Sequence, residues 1–129
     1  MDYSSEVLTR FSSPRRTDVL DERVPGVVGG EAEDRALNVW VRFQVQVREG
    51  RLHRVRFKVF GCPYTIAAAS WVAEWLEGRD QASLTGLDVH EIVEALQMPV
   101  ERIGKLLRIE DALLECRRQL SVAADGKGI

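Results

Sequence analysis

Residues 37–48 read LNVWVRFQVQVR, and residues 51–60 read RLHRVRFKVF. In both stretches apolar residues alternate with polar ones, a period of two that is typical of a strand with one buried face. Glu49 and Gly50 lie between the two stretches and favour a tight turn. The sequence therefore predicts a β-hairpin from Ala36 to Phe60.

The polar face of this hairpin is strongly basic. It carries Arg42, Arg48, Arg54, Arg56 and Lys58. We interpret it as a solvated sheet face, with a docking surface for an acidic partner as the alternative.

Helical patterns lie on both sides of the hairpin. Residues 3–12 predict a short amphipathic helix with Val7, Leu8 and Phe11 on one side. Ser4 or Ser5 can cap this helix, and the sequence from Ser12 to Pro14 ends it.

Three more helices are predicted after the hairpin. Pro63 begins one that runs to about Glu77 and stops at Gly78. A second spans Leu87 to Gln97, and Pro99 opens a longer third. The apolar face of the third helix comprises Leu106, Ile109, Leu113, Cys116 and Leu120.

Residues 13–35 are rich in proline, glycine and charge, and predict a loop in which Val27 and Val28 form a short edge strand. With that strand, the predicted fold class is α+β, a three-stranded antiparallel sheet covered on one face by helices. A chain of 129 residues suits one domain, 1–129, with a core at 3–120 and a flexible tail at 121–129.

Composition, charge and motifs argue against several classes of function. The formal net charge of −2 argues against a general nucleic-acid binder, which usually has a basic excess. No apolar run reaches the length of a membrane span, and the first residues lack a secretory signal, so we expect a cytoplasmic protein. The chain has two cysteines, which are expected to be free thiols. We find neither a phosphate loop nor a catalytic triad, and predict no enzyme.

Three stretches, taken together, identify a family. They run from Tyr3 to Arg15 (YSSEVLTRFSSPR), from Val55 to Cys62 (VRFKVFGC) and from Ile109 to Ala112 (IEDA). In this order they resemble the IscU/NifU N-terminal-type scaffold family. The resemblance implies an IscU-like fold, also described as SufE/NifU-type. The resemblance covers residues 3–120 and implies a role in iron–sulfur cluster assembly or sulfur trafficking.

The resemblance also implies a site. Such scaffolds assemble a [2Fe–2S] cluster on three cysteines, helped by an aspartate and a histidine. Cys62 matches the central cysteine. Glu33 stands where the family has another cysteine and Arg35 where it has the aspartate, while Gly104 and Lys105 replace the family's His-Cys pair. The cluster site is therefore predicted to be degenerate.

We expect an ion pair of Glu33 with Lys105 or Arg35 to fill the former metal pocket; drift of unselected residues is the alternative. No cofactor is expected. The alternatives are an iron–sulfur cluster, or zinc held by Cys62, Glu33 and Asp34. Cys116 is interpreted as a small core residue.

The expected function is that of a non-enzymatic module that binds a cysteine desulfurase or a ligand-complete scaffold. Docking is expected through Tyr3, Ser4, Val7 and Phe11, together with the face around Cys62. Alternatively, Cys62 carries sulfur as a persulfide, because a helix N-terminus favours its thiolate. A third hypothesis is a cluster or metal scaffold completed by a partner or a second copy. The sequence leaves the oligomeric state open.

Overall fold

The structure, a computed structural model, describes residues 3–12 and 15–127. The main elements in chain order are α1 (Ser5–Ser12), β1 (Val27–Asp34), β2 (Val39–Arg48), β3 (Arg51–Phe60), α2 (Pro63–Leu76), α3 (Val89–Leu96) and α4 (Ile103–Lys127). Short 3-10 turns lie at Gln81–Thr85 and Val100–Arg102. The strands form one antiparallel sheet in the order β1-β2-β3, so the predicted α+β class is confirmed.

The hairpin of β2 and β3 turns where the sequence predicts. Glu49 and Gly50 have φ angles of 53° and 76°, the left-handed pair that matches the twist of a two-residue hairpin. Strand β2 begins later than predicted, at Val39, because Asn38 also takes a positive φ, of 55°. Leu37 therefore lies in the turn before β2 and is not a strand residue.

Strand β1 is longer than predicted. It pairs with β2 from Val27, opposite Gln46, to Asp34, opposite Val39. The prediction of a loop after Val28 is therefore wrong. Glycine and acidic residues have low strand propensity, but the edge of β2 offers backbone partners to every second residue of β1, and pairing outweighs propensity.

The core lies between the sheet and the helices on one face. Val41, Phe43 and Val45 of β2 are fully buried there; α4 packs over β1 and β2, and α2 packs over β3. Helix α4 uses the predicted face: Leu106, Ile109, Leu113 and Cys116 are fully buried, and Leu120 packs against the core at its edge.

Helix α4 approaches β1 very closely at Gly30. A Cβ at this position would overlap the carbonyl oxygen of Ala112 and lie 2.6 Å from the amide nitrogen of Cys116. Glycine is thus required for helix and strand to meet.

The opposite face of the sheet is not simply solvated, because residues 15–24 cross part of it. The buried side chain of Gln44 accepts a hydrogen bond from the Leu20 N–H at 2.8 Å and donates to the Leu20 carbonyl at 2.9 Å. Arg56 donates to Asp18 at 2.7 Å. The interpretation of a solvated face is therefore wrong for this half of the sheet, although Lys58 remains exposed.

Helix α1 differs from the predicted amphipathic pattern. Val7 is fully buried, whereas Leu8 and Phe11 are 46% and 41% exposed. The helix packs against α2, and Arg10 donates a hydrogen bond to Ser70 of α2 at 3.1 Å. Polar contacts therefore help Val7 to hold α1 in place. The predicted stop at Ser13 and Pro14 lies outside the described residues.

Helix α4 continues past Leu120 to Lys127, into the predicted flexible tail. Within the part of the chain that the structure describes, no helix is long and apolar enough to cross a membrane.

Candidate functional site

Cys62 is the residue before the first turn of α2, and Gly61 separates it from the end of β3. Its backbone is extended, and Pro63 opens the helix as predicted. Gly61 precedes it in a tight space, where a Cβ would lie 3.3 Å from the Cβ of Thr65 and 3.4 Å from Val39. This junction holds the Cys62 thiol partly exposed at the rim of the domain.

The surroundings of Cys62 favour its thiolate. Partial burial alone raises the pKa of the thiol, but several groups oppose it. The Thr65 hydroxyl, 3.5 Å from Sγ, lowers the pKa most, followed by the Thr65 backbone N–H, the charge of Lys105 and the Tyr64 N–H. Their sum holds the pKa of Cys62 below its ordinary value.

The beginning of α4 forms the other side of the site. Lys105 lies near enough to Cys62 for its charge to act on the thiol. Gly104 faces the turn before β2, where the Leu37 Cδ1 would lie 3.6 Å from a Cβ at position 104. Lys105 therefore supports the thiolate, and Gly104 lies beside an apolar side chain.

Asp34 fixes the turn that carries Leu37. Its Oδ1 accepts the Leu37 N–H at 3.1 Å, and its Oδ2 lies 3.9 Å from Nη1 of Arg108 on α4. Arg108 also pairs with Asp111 at 3.3 Å. Asp34 and Arg108 thus join the turn to the helix beside the candidate site.

The predicted pocket ion pair is wrong in its placement. Glu33 lies 3.8 Å from Arg35, with the two side chains 56% and 90% exposed, and within the described residues it forms no ion pair with Lys105. The reason is strand alternation: because β1 continues to Asp34, Glu33 points to the face away from the helices. Arg35 therefore lies outside the site and does not act on Cys62.

The residues present do not fit a multi-thiolate metal site. Among the described residues, no three His, Cys, Asp or Glu side chains come together as metal ligands, so Cys62, Glu33 and Asp34 do not form the zinc set considered from sequence. Cys116 is fully buried, its Sγ 3.5 Å from the Phe43 carbonyl. Burial raises its pKa to about 12, in agreement with a core role.

Most of the predicted docking residues hold α1 in place. Tyr3 packs edge-on against Tyr64 with ring centroids 4.8 Å apart. Ser4 accepts the Val7 N–H and donates to the Leu96 carbonyl, at 3.2 and 2.7 Å. Of this set, Phe11 alone is substantially exposed.

Sequence reasoning missed Thr65 and Arg108, two residues that organise the site, and considered Asp34 only as a zinc ligand. Thr65 had a readable signal, since a hydroxyl three residues after a helix cap can reach back to the cap. Asp34 had one too, as an aspartate before a turn often accepts a backbone N–H further on. Arg108 had none, because its contact depends on how α4 packs.

Comparison with known proteins agrees with this architecture. The family model of the NifU-like N-terminal domain matches residues 2–117. The iron–sulfur cluster assembly scaffold protein IscU of Azotobacter vinelandii is 32% identical over 114 residues, which cover 88% of this chain and 89% of that protein. IscU of Escherichia coli K12 is 30% identical over the same length and coverage.

A solved structure shows the same fold. The N-terminal NifU-like protein from Brucella abortus superimposes with a TM-score of 0.72 at 17% identity, covering 92% of this chain and 93% of that one. The fold and site define a small α+β scaffold-type domain with one accessible thiol at a strand-to-helix junction. The chain belongs to the NifU-like N-terminal domain family, the IscU/NifU group of iron–sulfur cluster assembly scaffolds.

Proposed function

We propose that this family member carries sulfur as a persulfide on Cys62 and no longer assembles an iron–sulfur cluster. The observation that carries the proposal is the environment of this thiol, where Thr65 and Lys105 both lower its pKa. Cluster assembly needs several soft ligands around iron, and this site offers one thiolate beside a cation. A single accessible thiolate is instead suited to sulfur transfer.

The transfer step is a thiol–persulfide exchange. The Cys62 thiolate attacks the terminal sulfur of a protein cysteine persulfide, the kind of group that a cysteine desulfurase carries. The donor's sulfur–sulfur bond breaks as a new bond forms at Cys62 Sγ, and the donor cysteine leaves as a thiolate. Charge and protons balance, so the step requires no external oxidant.

Mass spectrometry of Cys62 tests the transfer directly. The protein is incubated with a cysteine desulfurase and cysteine, and we expect Cys62 to gain one sulfur atom. Cys62→Ser should remove the gain, and Cys116→Ala should keep it because Cys116 is buried. A persulfide that accumulates on the desulfurase and never reaches Cys62 would refute the carrier role.

The second candidate is a docking module for a desulfurase or a ligand-complete scaffold. It is favoured by the exposed Leu8 and Phe11 on α1, two apolar side chains left outside the core. In this role Cys62→Ser still binds the partner, whereas Phe11→Ala binds more weakly. Binding measured by fluorescence anisotropy separates docking from transfer.

Iron and acid-labile sulfide per chain, measured after anaerobic reconstitution, test the loss of the cluster function. We expect neither in stoichiometric amount. A stable cluster at near-stoichiometric iron would contradict the proposal and would indicate ligands supplied by a second copy or a partner.

A further inference from the structure

The two edges of the sheet differ in how far their outward backbone groups are hydrogen-bonded. Along β3, the outward Leu52 and Phe57 N–H groups donate to the carbonyls of Arg79 and Arg16, at 2.8 and 2.9 Å. The Val55 N–H donates to the Glu77 carboxylate at 3.0 Å. These contacts close the β3 edge over most of its length.

The outer edge of β1 is open in the described structure. The Val47 N–H donates to the Gly26 carbonyl, which sets the alternation by which Val27, Gly29 and Glu31 point their backbone groups away from β2. The Val27 N–H bonds to the Val24 carbonyl. Within residues 3–12 and 15–127, the N–H groups of Gly29 and Glu31 have no protein partner.

A groove of about 490 Å³ runs along this open edge, beside Val27 to Glu31. The C-terminal half of α4 forms one wall with Glu115, Gln119 and Val122, and Glu22 and Arg42 form the other. Val122 is 56% exposed and adds an apolar patch. The groove therefore offers an unpaired strand edge between two walls of side chains.

The charges that line the groove indicate which kind of segment it can bind. Among the described residues, Glu22 and Glu31 pair with Arg42 and Glu115 pairs with Arg118, so three carboxylates at the groove meet two guanidinium groups and its balance is acidic. A second copy pairing by the same edge would bring like charges together, including Glu31 and Glu33 of each β1. An extended segment with basic side chains would instead meet opposite charges.

We propose that the open edge of β1 binds an extended, basic segment of another protein, which adds to the sheet as a fourth strand. Backbone hydrogen bonds to Gly29 and Glu31 supply the pairing. Alternate basic side chains lie on one face, where they reach Glu22 and Glu31, and the intervening apolar side chains face Val122 on α4. This surface differs from the Cys62 site and does not depend on sulfur transfer.

The probe is a short peptide of alternating lysine and valine, titrated into the isotope-labelled protein. We expect shifts and slowed hydrogen exchange at the Gly29 and Glu31 amides. A peptide N-methylated at the groups that face the edge should bind about tenfold more weakly, the effect of losing one or two hydrogen bonds. A peptide of alternating glutamate and valine should not bind detectably.

Glu31→Pro removes the outward N–H, and Glu31→Ala is its matched control, since both lose the carboxylate. We expect Glu31→Pro to bind the lysine–valine peptide about tenfold more weakly than Glu31→Ala, because only the proline blocks pairing. Circular dichroism checks that both variants fold, and if the proline variant does not, the N-methylated peptide still decides.

Three outcomes would overturn the proposal. The first is equal binding of the methylated and unmethylated peptides, and the second is perturbation of amides away from β1. The third is self-association of the free protein that Glu31→Pro abolishes, which would make a second copy the occupant.

Discussion

Asp34 and Arg108 connect the end of β1 to helix α4 beside the candidate site. The Asp34 carboxylate, at the end of β1, lies 3.9 Å from the Arg108 guanidinium in the second turn of α4 and also caps the turn at Leu37. Both paired side chains are less than one-third exposed. A polar contact that is partly shielded from solvent thus fixes the end of β1 against α4.

Asp34→Ala should destabilise the domain by about 1 kcal/mol, because it removes both the backbone cap and the partner of Arg108. Glu33→Ala is the control, with an expected change within about 0.5 kcal/mol, since Glu33 is exposed. Urea unfolding measures both. An equal loss in the two variants would contradict the assignment of Asp34 as the structural residue.

Cys62 should react with iodoacetamide at lower pH than a model thiol does, because its pKa is lowered in the folded protein. Thr65→Val should move the half-maximal rate to higher pH, and Lys105→Gln should move it in the same direction by less, following the order of their effects. Rates measured across a pH series test this order. A profile unchanged by both substitutions would show that neither group stabilises the thiolate.

The same shift predicts how stability depends on pH. The folded pKa of Cys62 lies below the unfolded one, so ionisation of this thiol favours the folded state. Its contribution is complete above the unfolded pKa and is lost as the pH falls through the folded pKa. The difference in unfolding free energy between wild type and Cys62→Ser, measured across this range, should change with that sign.

Gly30→Ala should cost about 1–3 kcal/mol, because the new Cβ meets the backbone of α4 and strand and helix must separate. Gly29→Ala provides a matched comparison on the other face of β1. Its Cβ meets the end of the Arg42 side chain, which can move, so the expected cost is under about 1 kcal/mol. Thermal melts of the two variants should differ clearly, and equal melting temperatures would contradict close packing at Gly30.

Gln44→Met should destabilise by about 1–3 kcal/mol, since the buried backbone groups of Leu20 lose their partner. Trypsin cleavage at Arg16 should also accelerate as residues 15–24 detach from the sheet. Gln46→Met is the control, as the structure gives the Gln46 side chain no hydrogen bond among the described residues. If both variants behave alike, Gln44 does not hold the segment.

The hairpin, α2 and the core face of α4 could be predicted because each has a strong local signal. Hydrophobic alternation marks β2 and β3, and Pro63 marks the start of α2. Strand β1 escaped prediction after Val28 because its glycines and carboxylates are poor strand formers, and a neighbouring edge decides their conformation. Such pairing is a tertiary effect that a local pattern does not contain.

In the candidate site, too, local features could be predicted and tertiary contacts could not. The placement of Cys62 at a helix start follows from adjacent residues, and the structure confirms it. Glu33 does pair with Arg35, one of its two predicted partners, but outside the predicted pocket, because the prediction assumed a loop and a strand sends Glu33 and Asp34 to opposite faces. Strand alternation therefore places Asp34, and not Glu33, beside α4.

The burial of Cys116 limits what oxidation can do to this protein. With Cys116 enclosed under α4 and Cys62 at the rim, each native molecule has a single point of covalent attachment. An oxidant can join two molecules through their Cys62 sulfurs, and the linked pair then has no free thiol with which to add a third. Oxidative crosslinking of the folded protein should therefore stop at the dimer, and a reductant should return it to the starting chain.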